Sequence, residues 1–397
     1  MQQIKNKVII WGMDDFNALG LLRQLGSAGV DLFFMIYGKL GYASKSKYCT
    51  RFKVCGTLDE CYDYMMQTFK DEEEKPILIS SGDITITYID QHRDKMLEYF
   101  ILPGTTKQGD VQKYIDKFTM NSLAEEVGIL CPRSRLVQKD SDISGWTYPC
   151  LIKPSHMQEG HYNEFKFKIC KSESELKNVM RFVRPESVFI LQEFVRKEKE
   201  LLVYGARMKD GRTEFAGVLV KDRWSSDGST AHGYVTNEIF PCVDIEKIAD
   251  YLERIDYYGP FSVEYGIAGN KAFFFEVNLR NDGTSHYFWQ GGANIPMAYV
   301  CSCAGVGYSD VQTKVCNDGF FIDEIFDYEN VLLRRISKAQ WKQDKSEATI
   351  FKYFDKNDEE PYKWVYQHRK LKMLQNIVLS KLRVYIVYVL DKIGLRR

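Results

Sequence analysis

Two carboxylates and two neighbouring polar side chains between residues 259 and 283 have the types and spacing needed for metal and phosphate chemistry. Glu264 and Glu276 each lie at the end of an apolar segment, and a Gly-Asn turn between the segments predicts a β-hairpin. Glu276, Asn278 and Arg280 alternate along the second segment. A strand would therefore place these three side chains on one face.

This polar face predicts a magnesium site. Mg²⁺ usually binds one or two carboxylates together with phosphate oxygens, so Glu264, Glu276 and Asn278 are the predicted ligands. Arg280 is predicted to face a transferring phosphoryl group or an oxyanion. A strand with a solvated polar face is the alternative. The aromatic sequence FFFEVN argues against that alternative, because a carboxylate enclosed by apolar side chains needs partners.

Basic residues at the ends of apolar strands are the next candidates. Lys153 ends the strand in YPCLIKPS, where its ammonium could supply a point charge to a phosphate, although lysines at strand ends are also common on surfaces. Lys221 and Arg223 alternate in GVLVKDRW and are predicted to share one face, directed towards phosphates or a substrate carboxylate. His232 and His286 lie near these segments in sequence and are weaker candidates.

The segment VFILQEFVRKEKELLVYG, at 188–205, predicts two strands joined by a short polar link. Such a link can act as a hinge between two lobes. The backbone of Glu193, Phe194 and Val195 could then bind an adenine edge, although an ordinary β connection would have the same pattern.

The composition excludes several classes of protein. Lys+Arg and Asp+Glu each number 54, so whole-surface attraction to nucleic acid is not expected. Ten cysteines without a CxxC motif indicate reduced thiols in the cytosol rather than a disulfide framework or zinc site. The N-terminal sequence MQQIKNKVIIWG predicts a strand and not a signal peptide. The sequence contains no uninterrupted run of 18 apolar residues, so a membrane-spanning helix is not expected.

The elements that must position these residues change in type along the chain. Helix and strand patterns alternate up to about residue 105, which predicts a parallel sheet with helices on its faces. Later segments indicate an α+β arrangement with antiparallel strands. The stretch GMDDFNALG lacks the GxGxxG spacing of a dinucleotide site. Asp14 and Asp15 in it are either helix N-caps or ligand contacts.

Taken in their order along the chain, the segments described above resemble those of the ATP-grasp superfamily. The resemblance covers roughly residues 1–300. The resemblance implies an α/β and α+β fold in which two lobes hold ATP between them. It divides the chain into a pre-ATP-grasp domain with a parallel sheet (1–108), a small lysine-bearing lobe (109–195), a metal-binding lobe (196–305) and a C-terminal helical appendage (306–397). It also implies ATP and Mg²⁺ as cofactors, with Mn²⁺ as the alternative metal.

The resemblance assigns roles to individual residues. Glu264 and Glu276 resemble the family's metal-bridging glutamates and Asn278 its metal-binding asparagine. Arg280 resembles the arginine that steadies the phosphoryl group, and Lys221 and Arg223 are further catalytic candidates. The positions that resemble the ATP-binding residues are Lys117, Lys153, Gln192, Glu193, Phe194, Val195 and Glu200, with Glu198 a competitor of Glu200 for the ribose. The segment at 155–168 departs from the family's glycine-rich lid, and His156, His161 and Tyr162 there could instead contact the substrate.

The resemblance implies an ATP-dependent ligase that activates a carboxylate as an acyl phosphate and joins it to an amine. Its partners would be small molecules and not nucleic acid, with a homo-oligomer as a further expectation. Two alternatives remain open: a kinase-like enzyme with the same ATP residues, and a nucleotide-binding scaffold without catalysis. The overall length and the appendage at 306–365 look similar to those of ATP-grasp ligases that couple an amino acid to a cell-envelope precursor, such as a peptidoglycan peptide, or to a surface polysaccharide sugar. Ligases that add D-aspartate are an example.

The C-terminal segment, residues 369–397, contains eight Lys or Arg and one acid, Asp391. A basic amphipathic helix of this composition can lie on an anionic membrane. A helix that docks on the protein body is the alternative. The sequence therefore predicts a cytoplasmic protein with a peripheral membrane contact as one of two outcomes.

Overall fold

The computed structural model describes residues 4–155, 165, 167–226 and 228–392, with the side chains of 379–381 and 383–392 excluded. The N-terminal domain contains a four-stranded parallel sheet in the order β3-β2-β1-β4. Its strands are β1 (Val8–Gly12), β2 (Leu32–Tyr37), β3 (Phe52–Cys55) and β4 (Ile77–Ser80). Its helices are α1 (Phe16–Gly26), α2 (Leu58–Thr68), α3 (Asp83–Gln91) and α4 (Arg93–Met96), with a 3₁₀ turn at Ala43–Lys45. The predicted parallel sheet is confirmed.

The strand β1 forms because VIIWG is apolar throughout, and the sheet buries both of its faces. The helix α1 begins where the Asp15 carboxylate accepts hydrogen bonds from the backbone N–H groups of Asn17 and Ala18. Asp15 is therefore an N-cap. The Asp14 carboxylate accepts hydrogen bonds from the N–H groups of Gly41 and Ser44 and so holds the loop after β2.

A short strand, β5 (Gly104–Thr105), leads from this domain to the lysine-bearing lobe, whose four-stranded antiparallel sheet has the order β6-β9-β7-β8. The elements of this lobe are α5 (Asp110–Tyr114), α6 (Lys117–Glu126), β6 (Ser134–Val137), β7 (Cys150–Pro154), β8 (Lys168–Cys170), α7 (Glu173–Arg181) and β9 (Phe189–Glu193). Its sheet has a hydrophobic core of its own, which includes Val137, Ile152 and Leu191.

The next unit, which we call the metal-binding lobe after its expected role, is built on a larger sheet in the order β14-β13-β10-β11-β12-β15-β16, and β5 pairs with β13. Its strands are β10 (Lys199–Arg207), β11 (Thr213–Trp224), β12 (Thr230–Thr236), β13 (Tyr257–Ala268), β14 (Lys271–Asn278), β15 (Gly319–Ile322) and β16 (Ile350–Phe351). Its helices are α8 (Ile245–Arg254), α9 (Ser285–Gln290) and α10 (Ile295–Cys303). The predicted α+β arrangement with antiparallel strands is confirmed.

The N-terminal domain and the metal-binding lobe share one hydrophobic core, in which Val8 and Ile10 of β1 belong to the same cluster as Leu202 and Leu219. The sheet of the lysine-bearing lobe has a separate core, whereas its helices α5 and α6 pack into the core of the metal-binding lobe. Two strands of the segment predicted as an appendage, β15 and β16, extend the sheet of the metal-binding lobe, where Phe321 and Ile322 are fully buried. The exact division into four units remains a prediction.

The C-terminal segment ends in α11 (Tyr328–Leu332), α12 (Lys338–Glu347) and a long helix, α13 (Glu360–Lys392). The first half of α13 docks on the protein: Val365 is buried, and Asn376 donates a hydrogen bond to Glu329. The predicted C-terminal helix is confirmed. Within the described residues, no helix has the length and apolarity to cross a membrane. All ten cysteines lie in the described residues, and none of them forms a disulfide bond.

Candidate active site

The two predicted metal carboxylates lie opposite each other. In the hairpin of β13 and β14, Glu264 pairs with Glu276 and Ser262 pairs with Asn278. Two like charges directly across a hairpin repel each other. Burial, and then the Glu264 charge, raise the pKa of Glu276, while Lys117 and Lys221 act in the opposite direction. The nearby lysines therefore neutralise only part of the negative charge of the two carboxylates, and the remaining charge would attract a metal cation.

Lys221 provides part of that neutralisation. Its Nζ donates to Glu264 Oε2 at 2.7 Å and lies 3.8 Å from Glu200 Oε2. The register explains this contact, because Glu200 and Lys221 are cross-strand partners in β10 and β11, while Leu202 pairs with Glu264. All three charged side chains are at most one-fifth exposed. Such pairs interact more strongly than surface ion pairs.

Lys153 and Lys117 supply positive charge from the other lobe. The Lys153 Nζ donates to Gln192 Oε1 at 3.2 Å, across the pairing of β7 and β9. Burial, and then the charge of Lys117, lower the pKa of Lys153 to about 8, and Glu276 partly opposes this shift. Lys117 is the first residue of α6. The helix α6 packs against β14, where the Val277 N–H donates to Met120 Sδ at 3.3 Å, so Lys117 lies near the hairpin. The charges of Lys117 and Glu276 both act on the pKa of Lys153.

Arg280 lies just beyond the hairpin and is held by acids. Its Nε donates to Asp83 Oδ1 at 2.5 Å and its Nη2 to Asp83 Oδ2 at 3.1 Å. Its Nη1 lies 3.7 Å from Asp282. Burial alone would lower the pKa of Arg280, but the hydrogen-bonded Asp83 carboxylate outweighs burial and raises the pKa. Nη2 of Arg280 also lies 3.4 Å from Asn278 Oδ1, and the Glu276 charge contributes to the raised pKa of Arg280, so this guanidinium lies beside the predicted metal ligands.

The interlobe link occupies the position that the sequence predicts. Gln192 and Glu193 end β9, and Phe194 and Val195 lead towards β10 in the other lobe. Gln192 is buried, and its amide donates to Ser134 Oγ at 2.8 Å. Adenine binding by this link remains a prediction.

The structure separates the two candidates for the ribose acid. Glu200 lies beside Lys221, whereas Glu198 turns away and accepts a hydrogen bond from the N–H of Gly269 at the hairpin turn. Lys197, which the sequence analysis missed, forms an ion pair with Glu200. Burial, and then the charge of Lys221, lower the pKa of Lys197. Lys197 lies next to Glu198 and close to Glu200 in the sequence, and this position could have identified it as a candidate site residue.

Arg223 is directed away from this group, contrary to the prediction. Its Nε and Nη2 donate to both Asp327 oxygens at 2.8 and 2.7 Å, and Nη2 also donates to Asp344 at 2.9 Å. The pairing of β11 with β12 shifts register between Lys221 and Arg223, which breaks the alternation that would have placed both on one face. Arg223 thus fastens the segment of α11 and α12 to the sheet.

The two candidate histidines are also placed outside the cleft group. The His232 ring stacks on Phe320 at 6.0 Å between ring centroids. His286 is fully buried, and burial, followed by the Arg23 charge, keeps its pKa well below the usual value. Both positions are those of packing residues. His156, His161 and Tyr162 lie outside the described residues.

The described residues contain no group of three or more His, Cys, Asp or Glu that could hold a metal ion. Two carboxylates and one amide are nevertheless a fitting set for Mg²⁺, because this ion takes its other ligands from phosphate and water. A cavity of about 320 Å³ lies elsewhere, between β11 and α8, and is lined by Glu214, Asn237 and Lys314 among others. None of the predicted site residues lines this Glu214 cavity.

Comparison with known proteins supports the same fold. No family model matches the chain. It is 30% identical over 148 residues to a formate-dependent phosphoribosylglycinamide formyltransferase of Sulfurisphaera tokodaii, covering 34% of this chain and 36% of that protein. It is 22% identical over 317 residues to D-aspartate ligase of Enterococcus faecium, covering 71% of this chain and 73% of that protein. The chain thus spans only about a third of the formyltransferase.

Among solved structures, the ADP complex of N5-carboxyaminoimidazole ribonucleotide synthetase matches with a TM-score of 0.63 and 16% identity. The match covers 84% of this chain and 86% of that one. At this identity the likeness concerns the fold.

Proposed function

We propose that this chain is an ADP-forming ligase. It has the ATP-grasp fold and is related in sequence to ATP-grasp carboxylate–amine ligases. The reaction joins a carboxylate to an amine through an acyl phosphate. The observation that supports this proposal is the hairpin in which Glu264 lies opposite Glu276, with Lys221 hydrogen-bonded to Glu264 and Arg280 in contact with Asn278.

The nucleotide would lie between the lysine-bearing and metal-binding lobes. Lys117 and Lys153 would contact its phosphates, Glu200 the ribose hydroxyls, and the link from Gln192 to Val195 the adenine. A phosphate beside Lys153 would favour the charged ammonium and reverse the pKa depression that burial imposes. The sheet of the lysine-bearing lobe has a core of its own, which suits this sheet to close on the nucleotide and exclude water.

Glu264, Glu276 and Asn278 would hold Mg²⁺, or Mn²⁺ in its place, and the bound ion would offset charge on the phosphates. A carboxylate oxygen of the substrate attacks the γ-phosphorus, and ADP leaves. The amine nitrogen then attacks the acyl carbon, orthophosphate leaves, and the nitrogen loses a proton. Arg280 stabilises the phosphoryl oxygens, and Lys221 orients Glu264 by its 2.7 Å hydrogen bond.

The substrates that we propose are an amino acid and a cell-envelope precursor. Support comes from the similarity to D-aspartate ligase, which extends over 71% of the chain. A synthetase that acts on an aminoimidazole ribonucleotide is similar only in fold, at 16% identity. Aminoimidazole ribonucleotide with bicarbonate should therefore not stimulate ADP release.

We also propose a cytoplasmic location in which α13 contacts an anionic lipid surface. Leu371, Leu374, Val378 and Leu382 are all exposed, at spacings of three and four residues, so they form one apolar ridge. Residues 369–397 carry eight basic residues against one acid, which complements an anionic membrane.

Vesicle sedimentation tests the membrane contact. The full chain should sediment with phosphatidylserine vesicles and remain in solution with phosphatidylcholine vesicles. Replacing Leu371 and Leu374 by Gln should release it, whereas the same change at the exposed Leu40 of the N-terminal domain should not. Equal recovery of the first variant and the parent chain in the vesicle pellet would refute the contact.

Hydroxylamine trapping tests the ligase. The assay combines Mg-ATP, hydroxylamine and a pool of the L-amino acids with D-alanine and D-aspartate. An acyl phosphate gives one hydroxamate for each ADP. Glu276→Gln should lose both products, and the exposed Glu253→Gln should retain them. A stable phosphorylated product without hydroxamate would establish the kinase alternative, and nucleotide binding without any turnover would establish the scaffold.

A further inference from the structure

The guanidinium of Arg280 is held by an acid from another domain. Asp83 is the first residue of α3, which follows β4 of the N-terminal sheet, and lies 197 positions from Arg280 in sequence. Its two carboxylate oxygens accept from Arg280 Nε and Nη2 at 2.5 and 3.1 Å. This is the bidentate geometry in which a carboxylate fixes the direction of a guanidinium as well as its position.

Because a guanidinium is planar, fixing the edge formed by Nε and Nη2 also fixes Nη1. Nη1 has weaker partners: it donates to the Asn281 carbonyl at 3.1 Å and lies 3.7 Å from Asp282. Nη2 has a further long contact of 3.4 Å with Asn278, one of the residues expected to hold the metal. The hydrogen bonds to Asp83 therefore also set the direction of the N–H groups of Arg280 that could bind a phosphoryl group.

We propose that Asp83 is a positioning residue, which acts by orienting Arg280 towards the transferring phosphoryl group. This inference rests on the proposed ligase function. It makes the N-terminal domain a contributor to the phosphoryl step, in addition to any contact that it has with substrate.

The exposure of the two partners indicates that this pair does more than stabilise the fold. The Asp83 side chain is 66% exposed and that of Arg280 is 15% exposed. An exposed acid contributes little to folding stability. Its carboxylate nevertheless holds Arg280, whose Nη2 lies 3.4 Å from Asn278 Oδ1.

A second contact holds the loop after β14 without Asp83. The amide of Asn17 donates to the Asn281 carbonyl at 2.8 Å, and the amide of Asn281 donates to Asn17 Oδ1 at 2.6 Å. These reciprocal bonds are buried and connect the loop to α1. A change at Asp83 should therefore leave the loop in place and alter only the orientation of Arg280.

Asp83→Asn keeps the side-chain shape and removes the charge, and the exposed Asp94→Asn in α4 is the matched control. In the hydroxamate assay with the amino-acid pool, Asp83→Asn should lower kcat about tenfold or more and change the KM for ATP less than about twofold. Asp94→Asn should equal the parent. Asp83→Glu should restore part of the rate. The melting temperature of Asp83→Asn should stay within about 3 °C of the parent.

A double-mutant comparison separates positioning from a general structural effect. In an Arg280→Lys background, which cannot form the bidentate pair, Asp83→Asn should cause no further loss of kcat. An equal loss in both backgrounds, a parental rate in Asp83→Asn, or a faster rate would overturn the inference while leaving the ligase intact. If neither the parent nor Asp94→Asn produces hydroxamate, the proposed function itself fails.

Discussion

The depressed pKa of Lys153 leads to a quantitative expectation for nucleotide binding. In the free protein, burial and then the charge of Lys117 lower this pKa to about 8. Bound phosphate should return the pKa towards the ordinary value of about 10.4, because a neighbouring anion favours the charged form. Nucleotide binding should then be accompanied by proton uptake, so affinity must fall as pH rises through the lower of the two values.

The size of the effect follows from the two pKa values. About nine-tenths of the free Lys153 is protonated at pH 7 and about one-tenth at pH 9, so the Kd for Mg-ADP should rise roughly tenfold between these pH values. Near pH 8, binding should take up about half a proton per site.

Isothermal titration calorimetry of Mg-ADP measures both quantities when it is repeated in buffers of different ionisation enthalpy. Lys153→Met should bind more weakly at pH 7 and lose the tenfold dependence, which separates Lys153 from titration of the nucleotide itself. The control is Lys168→Met, at an exposed position in the same lobe, which should retain the parental dependence. A flat Kd in the parent, or the same rise in Lys153→Met, would refute the assignment of Lys153 to the phosphates.

Three further predictions concern the remaining charged residues. Glu276→Gln should lower the rate of ADP release about a hundredfold without lowering the melting temperature. The melting temperature should hold because an ionised Glu276 with a raised pKa opposes folding at pH 7. Calorimetric melting beside the rate assay checks this, and a large drop in melting temperature would contradict it. Glu200→Gln should weaken Mg-ADP binding measured by titration, and Glu198→Gln should not; the reverse order would exchange their roles. Arg223→Met should cost about 3 kcal/mol in urea unfolding, because it leaves Asp327 buried without its cation; unchanged stability would refute that structural role.

The hairpin of the site could be predicted because its determinants are local. A turn of two residues sets the register of β13 and β14 as far as the pair of Tyr265 and Phe274, and alternation along β14 gives the shared face of Glu276 and Asn278. A β-bulge then shifts the register by one residue and brings Glu264 opposite Glu276, which the sequence did not reveal. The parallel N-terminal sheet was predictable for the same reason, since its strands are short apolar runs separated by helical patterns.

The interactions that the sequence did not reveal depend on register shifts or on distant chain segments. The shift after Lys221 separates that side chain from Arg223, although the alternating pattern appears unbroken in the sequence. The pairing of Asp83 with Arg280 depends on how two domains pack. Asp83 follows the carboxyl end of β4, where α/β sheets commonly bind ligands, so its position was a usable signal.

The most direct measurement is a crystal structure with Mg²⁺ and a non-hydrolysable ATP analogue. We predict a metal ion at about 2.1 Å from oxygens of Glu264, Glu276 and Asn278, with the α-phosphate beside Lys153. Nucleotide bound in the Glu214 cavity, or a metal ion that none of these three side chains contacts, would contradict the placement of the active site at the hairpin.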